Sequence, residues 1–195
     1  PLTILNLKNS NLTKLFEDDS CLLYSFGLKH RIPCWGFKLI EKKRPKKILK
    51  NMIETLNIPF SAINDIKLGL NYITDEGKVI ENKKLTKDSY VPRSYAYCSD
   101  THYFNSLINH IQDVDLLYHE ATFHSSLSNK AKLTFHSTSQ DAATVALKGN
   151  VKKLIIGHFS SRYKKLDVLK KDAEQIFKNV DIAVEGKTWE IKKVL

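Results

Sequence analysis

Cysteine is scarce in this chain. Cys21, Cys34 and Cys98 are odd in number, widely spaced and free of any Cys-x-x-Cys pair. That excludes a disulfide framework and a zinc-finger spacing, and it fits reduced, mostly buried thiols in a cytoplasmic protein. Long apolar runs are missing too: none approaches the ~18 residues that span a bilayer, so no membrane partner is expected. There is no signal-peptide pattern. With seven glycines, the sequence holds no Gly-rich phosphate loop, Walker sequence or serine nucleophile elbow. Acidic residues are the minority, 21 against 31 basic, for a formal charge of +10. Such a balance favours polyanionic partners and says nothing about fold. An initiator methionine is absent as well. The chain begins at Pro1 directly in a strand-like run, 2–7, which points to a missing beginning.

What is there suffices for a core: 195 residues, 42% of them hydrophobic. That length suggests one domain, or a compact domain carrying an insertion. Residues 1–41 read as strands, at 2–7, 20–28 and 34–41. Residues 42–93 differ in texture. They open with Lys42-Lys43-Arg44-Pro45-Lys46-Lys47-Ile48-Leu49-Lys50, pass through a helical stretch at 48–56 and continue as a polar, turn-rich tract with few core-forming runs. This segment is expected to be a protruding basic insertion. Residues 94–195 return to alternating strand and helix, the signature of an α/β layered architecture. There Ser137-Thr138-Ser139-Gln140 fits a capping box ahead of an alanine-rich helix. Asp167 can cap a second helix with Leu169, Ala173 and Ile176 as its core stripe. Residues 181–185 and 188–192 read as a terminal pair of strands.

Three apolar segments end in potential ligands or acid–base groups. Residues 94–98 run into Asp100, 114–118 into His119 and Glu120, and 153–156 into His158 and Arg162. Buried strands ending this way place those groups on one rim of a sheet, where ligands of open α/β sheets sit. His30, Asp100 and His158 all lie just past strands. Imidazole and carboxylate without thiolate suit Zn²⁺, Mn²⁺ or similar ions, and a carboxylate can bridge two of them. His136 precedes a helix whose dipole disfavours its protonated form, so a proton-donating role needs a nearby carboxylate. Glu120 is the candidate, or else an ordinary capping acid for a helix beginning near 122. Arg162 adds a bidentate phosphate donor beside the site. Lys42, Lys43, Arg44, Lys46 and Lys47 could grip a nucleic-acid backbone away from it, or form a solvated face.

Four ordered motifs, "YCSDT" (97–101), "LLYHEATF" (116–123), "FHSTSQDAA" (135–143) and "LIIGHFSSRY" (154–163), resemble ribonuclease Z, the tRNA 3′-processing endonuclease family of the metallo-β-lactamase superfamily. "LKHRIPCWGFKLIEK" (28–42) looks like that family's segment bearing a metal-ligand histidine. The resemblance implies an αββα sandwich with a protruding arm, here 42–93, that clasps tRNA. It implies two zinc ions per intact site, His30 and His158 each binding one and Asp100 bridging both. His136 is then the proton donor to the leaving oxygen. His119 and Glu120 line the cleft and help to hold that histidine. Family members are homodimers cleaving precursor tRNA. The superfamily's HxHxDH motif occurs nowhere in this sequence. The chain therefore looks like the C-terminal two-thirds of such an enzyme, its first sheet layer missing. The exposed apolar sheet face should recruit another chain, and each ion would receive only two ligands. Weak metal binding and poor cleavage by the chain alone are expected. Two other readings stay open: another hydrolase of the same fold acting on small esters or sulfates, and a noncatalytic tRNA-binding or dimerisation module.

Overall fold

Two eight-residue strands with continuous apolar character set up the sheet. In the computed structural model, which describes residues 11–194, β1 (Thr13–Glu17), β2 (Cys21–Leu28) and β3 (Cys34–Glu41) form an antiparallel meander. The run 2–7 lies outside the described residues. The chain divides into two compact units: one holds the residues up to Glu41 together with Arg93–Ile191, the other Lys42–Pro92 together with the chain from Lys192.

The second unit pairs β4 (Lys47–Ile48) with β7 (Thr86–Lys87). Between them lie α1 (Lys50–Thr55), α2 (Phe60–Leu68), a small hairpin of β5 (Tyr72–Ile73) and β6 (Val79–Ile80), and α3 (Asn82–Leu85). Although this segment has few core-forming runs, Ile58, Ile66 and Leu85 are buried at its centre, with Ile48, Met52, Ile53 and Leu56 packed against them. Its apolar residues are dispersed singly, so no run announces them. Buried Asn82 ties the centre together, its amide donating to the carbonyls of Ile66 and Leu70 at 2.6 and 2.8 Å.

In the first unit β8 (Ser94–Cys98) joins β3 antiparallel. Then β9 (Leu116–Glu120), β10 (Lys153–Gly157) and β11 (Val180–Ile182) add in parallel, giving a seven-stranded order β1-β2-β3-β8-β9-β10-β11. Parallel crossovers need helices to cover the sheet. These are α4 (Leu107–Ile111), α5 (Ser128–Leu133), α6 (Ser139–Lys148) and α7 (Asp167–Glu174). Phe26, Ala96, Cys98, Leu117, Leu154 and Ile156 meet Ala142, Ala143, Val145, Ala146, Leu169 and Ala173 in one core. Gly36 permits the close approach at the meander: a Cβ there would lie 2.4 Å from the Phe26 ring and 2.9 Å from the Tyr97 carbonyl oxygen.

Three local expectations change. The capping box is Thr138 with Asp141, one position on from Ser137 with Gln140: Thr138 Oγ1 accepts from the Asp141 amide at 3.1 Å, and Asp141 Oδ2 accepts from the Thr138 amide at 3.0 Å. A carboxylate outcompetes the Gln140 amide as acceptor, and the Ser137 hydroxyl is spent on the Thr101 carbonyl at 2.7 Å. Leu166, not Asp167, is the N-cap of α7, and it makes no side-chain cap bond. Of the expected terminal strand pair only 180–182 is a strand, and residues 188–192 pair with no strand among the described residues. On the sheet face away from the α6 core, Phe37, Tyr97 and Tyr118 are lateral neighbours. Leu39 stays 40% exposed and Tyr97 37%. That face thus carries large apolar and aromatic side chains as well, the pattern of a sheet that forms a middle layer.

Candidate metal and acid–base site

Strand direction decides which side chains meet. Because β8, β9 and β10 are parallel, their C-terminal ends share one rim. β2 runs antiparallel to β3, and β3 to β8, so the β2–β3 turn carrying His30 falls on that same rim. At the rim the backbone makes unusual turns. Asp100, Phe135 and His158 all adopt left-handed conformations, with φ of 56°, 58° and 58°. Such conformations cost free energy in residues with a Cβ and persist where surrounding structure imposes them.

The ligand-bearing atoms of Asp100, Glu120, His136 and His158 lie within 4.8 Å of one another. His158 Nε2 is 3.2 Å from Asp100 Oδ1, both side chains 42% exposed. Glu120, by contrast, is fully buried. Its Oε1 accepts from the Thr101 amide at 2.6 Å and from His136 Nδ1 at 2.9 Å, and its Oε2 from the Thr122 hydroxyl at 2.6 Å and the Ser137 amide at 3.1 Å. Burial alone would raise the Glu120 pKa. The bonds from His136, Thr122 and Ser137 outweigh it and hold the carboxyl below its ordinary range. The His136 imidazole moves the opposite way, raised chiefly by its bond to Glu120 against the effect of burial. With all its donors supplied, Glu120 is a holder of groups rather than a free ligand, and it is no cap for a helix at 122.

His30 stands at the edge of this group. Its ring is centred 5.1 Å from that of His136, and its Nδ1 lies 3.1 Å from the Phe135 carbonyl oxygen. It is not among the four residues whose ligand atoms converge. His119 does not line the cleft: it is fully buried on the core side of β9, with Nδ1 donating to the Glu120 carbonyl at 2.7 Å. Burial pushes its pKa down. Strand alternation explains the difference, since neighbouring positions 119 and 120 face opposite ways.

Arg162 sits in the loop after β10, its guanidinium 5.1 Å from the Phe123 ring centroid and its Nε donating to Ser160 Oγ at 2.9 Å. The basic segment lies in the second unit. Arg44, Lys46 and Lys47, with Lys67, Tyr90 and Lys193, line a cavity of about 410 Å³, and Lys43 borders a neighbouring one. Lys42 opens the segment directly after β3.

Sequence reading missed Thr122 and Asp172. Asp172 is buried, yet it accepts from Ser125 N, Ser125 Oγ, Ser139 Oγ and Gln140 Nε2 at 2.5–3.0 Å, so it staples the loop after β9 to the start of α6. Its one sequence signal is an acid beside Leu169 and Ala173 in an apolar stripe.

The donor set of Asp100 and His158, with His30 at the edge, suits a divalent metal ion but falls short of the three or four protein ligands of a zinc site. Among the described residues no helix is long and apolar enough to cross a membrane.

No family model matches the chain. Over 172 residues it is 45% identical to ribonuclease Z of Parabacteroides distasonis, covering 88% of this chain and 57% of that protein. It is 36% identical over 193 residues to ribonuclease Z of Cytophaga hutchinsonii, covering 97% of this chain and 60% of that one. Among solved structures, the metallo-β-lactamase fold protein YhfI of Bacillus subtilis aligns with a TM-score of 0.59 at 17% identity, covering 91% of this chain and 52% of that chain. The short form of human tRNase Z aligns with a TM-score of 0.51 at 24% identity, covering 89% and 44%. These two likenesses carry the fold alone. The chain thus spans less than two thirds of the length of the curated relatives it matches; it is similar in sequence to these ribonucleases Z and has the metallo-β-lactamase fold.

Proposed function

We propose that this chain is the larger part of a zinc-dependent endoribonuclease that removes the 3′ trailer of precursor tRNA. The observation that supports this most is the Glu120–His136 pair beside Asp100 and His158, in a chain about 45% identical to ribonucleases Z. In this reading His158, His30 and Asp100 would hold two zinc ions, with further ligands supplied by upstream polypeptide. When bound, two such ions polarise the scissile phosphodiester and offset the charge of its transition state.

The chain's own residues do the rest. Glu120 is fixed by two backbone amides and holds His136 through Nδ1, so Nε2 is the ring nitrogen left to face the leaving oxygen. A charge supported by a buried carboxylate keeps that imidazole protonated to higher pH, as a general acid requires. Arg162, oriented by the Phe123 ring and Ser160, offers a phosphate contact next to the site. Lys42, Lys43, Arg44, Lys46 and Lys47 bind the RNA backbone. The working form is a cytoplasmic homodimer, in which one subunit's basic unit serves its partner's site.

Precursor tRNA tests this against a small phosphodiester. The chain is expected to bind precursor tRNA with affinity falling steeply as salt rises. With zinc present, and the chain joined to the upstream sequence of its own coding region, it should release the trailer and leave the small phosphodiester nearly untouched. Preference for the small substrate contradicts the reading. Tight, salt-dependent binding with no cleavage in any form favours a noncatalytic module.

A further inference from the structure

One buried hydroxyl joins both halves of the site. Thr122 Oγ1 lies 2.6 Å from Glu120 Oε2, 2.9 Å from the His158 carbonyl oxygen and 3.0 Å from His158 Nδ1. A hydroxyl carries one proton and can accept others. Of its three neighbours the two oxygens can only accept, because Glu120 is ionised and the other is a carbonyl. The Thr122 proton can go to either oxygen or to a bare Nδ1, and the carboxylate is favoured because it is the nearest of the three and charged. The only neighbour able to donate back is His158 Nδ1. Were Nδ1 bare, its lone pair would face the lone pairs of a hydroxyl oxygen already committed elsewhere.

From this proton count, and resting on the metal-site reading of His158, we infer that Thr122 is a positioning residue that fixes His158 as its Nδ1–H tautomer and so presents Nε2 bare toward Asp100 and a metal ion. An imidazole ligates through its unprotonated nitrogen, and which nitrogen that is follows from the bond made by the other. Glu120 then serves two histidines with its two oxygens: His136 directly through Oε1, and His158 through the Thr122 hydroxyl on Oε2. The force opposing this tautomer is also present. Asp100 Oδ1, 3.2 Å from Nε2, favours a proton there when no ion is bound, so the hydroxyl decides between two otherwise similar forms.

The tautomer is read directly by long-range proton–nitrogen correlation NMR on the ¹⁵N-labelled, metal-free chain, recorded above the pH at which the ring titrates, with His158→Asn assigning the signals. The wild-type chain is expected to show His158 protonated on Nδ1 and bare on Nε2. Thr122→Ser keeps the hydroxyl and should keep that pattern. Thr122→Val keeps the shape and should move the tautomer ratio toward Nε2–H by roughly fivefold to tenfold, the worth of one net hydrogen bond. A wild-type ring protonated mainly on Nε2 overturns the inference, whatever the variants do. So does a folded Val variant whose ring matches the wild type. The readout needs neither RNA nor metal, so failure to cleave tRNA would leave it standing, and the wrong tautomer would leave the tRNA reading intact.

Discussion

Glu120→Ala is expected to destabilise the chain by about 3–5 kcal/mol, the loss that follows when one partner of a buried charged network is removed. Four donors converge on that carboxylate: the amides of Thr101 and Ser137, the Thr122 hydroxyl and His136 Nδ1. The Thr122 hydroxyl can turn to the His158 carbonyl, 2.9 Å away, whereas no other acceptor for the two amides and His136 Nδ1 is in place among the described residues, and each buried group left unsatisfied costs about 1–3 kcal/mol. Domains are stable by only about 5–15 kcal/mol, so the alanine variant should be close to unfolding. Glu120→Gln keeps the shape and one carbonyl oxygen, so its loss should be clearly smaller. Urea unfolding of the three proteins measures this order. The folded carboxyl pKa lies below its ordinary value, so the stability Glu120 adds is present above that value and fades as pH falls through the folded one. His136 is raised, so its share is complete below the ordinary imidazole value and fades as pH rises through the folded one. The gap between wild type and Glu120→Gln should therefore be widest between those limits and narrow on either side. A uniform gap across that range would mean the carboxylate is not charged as described.

The second large effect concerns turnover. In a preparation competent to cleave precursor tRNA, His136→Ala should lower turnover about 10²–10⁴-fold, the range typical of general acid–base groups. Metal content should not change, because His136 commits Nδ1 to Glu120 and is proposed as a proton donor, not a ligand. Loss of metal together with activity would assign the ring to coordination instead. Glu120→Gln offers a second handle. Without the carboxylate the imidazole loses its proton at lower pH, so the alkaline limb of the rate profile should shift downward.

What the residues announced, and what they hid, follows from local physics. The strands 34–41 and 94–98 were legible at their ends, because apolar runs bounded by polar turns leave little choice. β1 was not: Thr13–Glu17 is a mostly exposed edge strand with little apolar signal. The chain at 188–192 reads as a strand but pairs with none among the described residues. Asp100, His158 and His136 could be singled out because each follows or precedes a regular element, and Glu120 because it is an acid at the end of the apolar run of β9. Thr122 and Asp172 could not. Threonine after a strand and aspartate in a helix are ordinary residues, and their roles come from neighbours far along the chain, His158 and Ser125 among them. The 119–120 pair shows the limit of motif reading: both residues belong to one motif, yet strand alternation buries His119 in the core and leaves Glu120 to the site.

Asp100 and His158, with His30 at the edge, are proposed to form only part of a two-metal centre. Calorimetric titration of the 195-residue chain with Zn²⁺, beside Asp100→Ala and His158→Ala, tests it most directly. Weak binding that vanishes in both variants is the predicted result. Two tightly held ions in the chain alone, or binding indifferent to both substitutions, would contradict it.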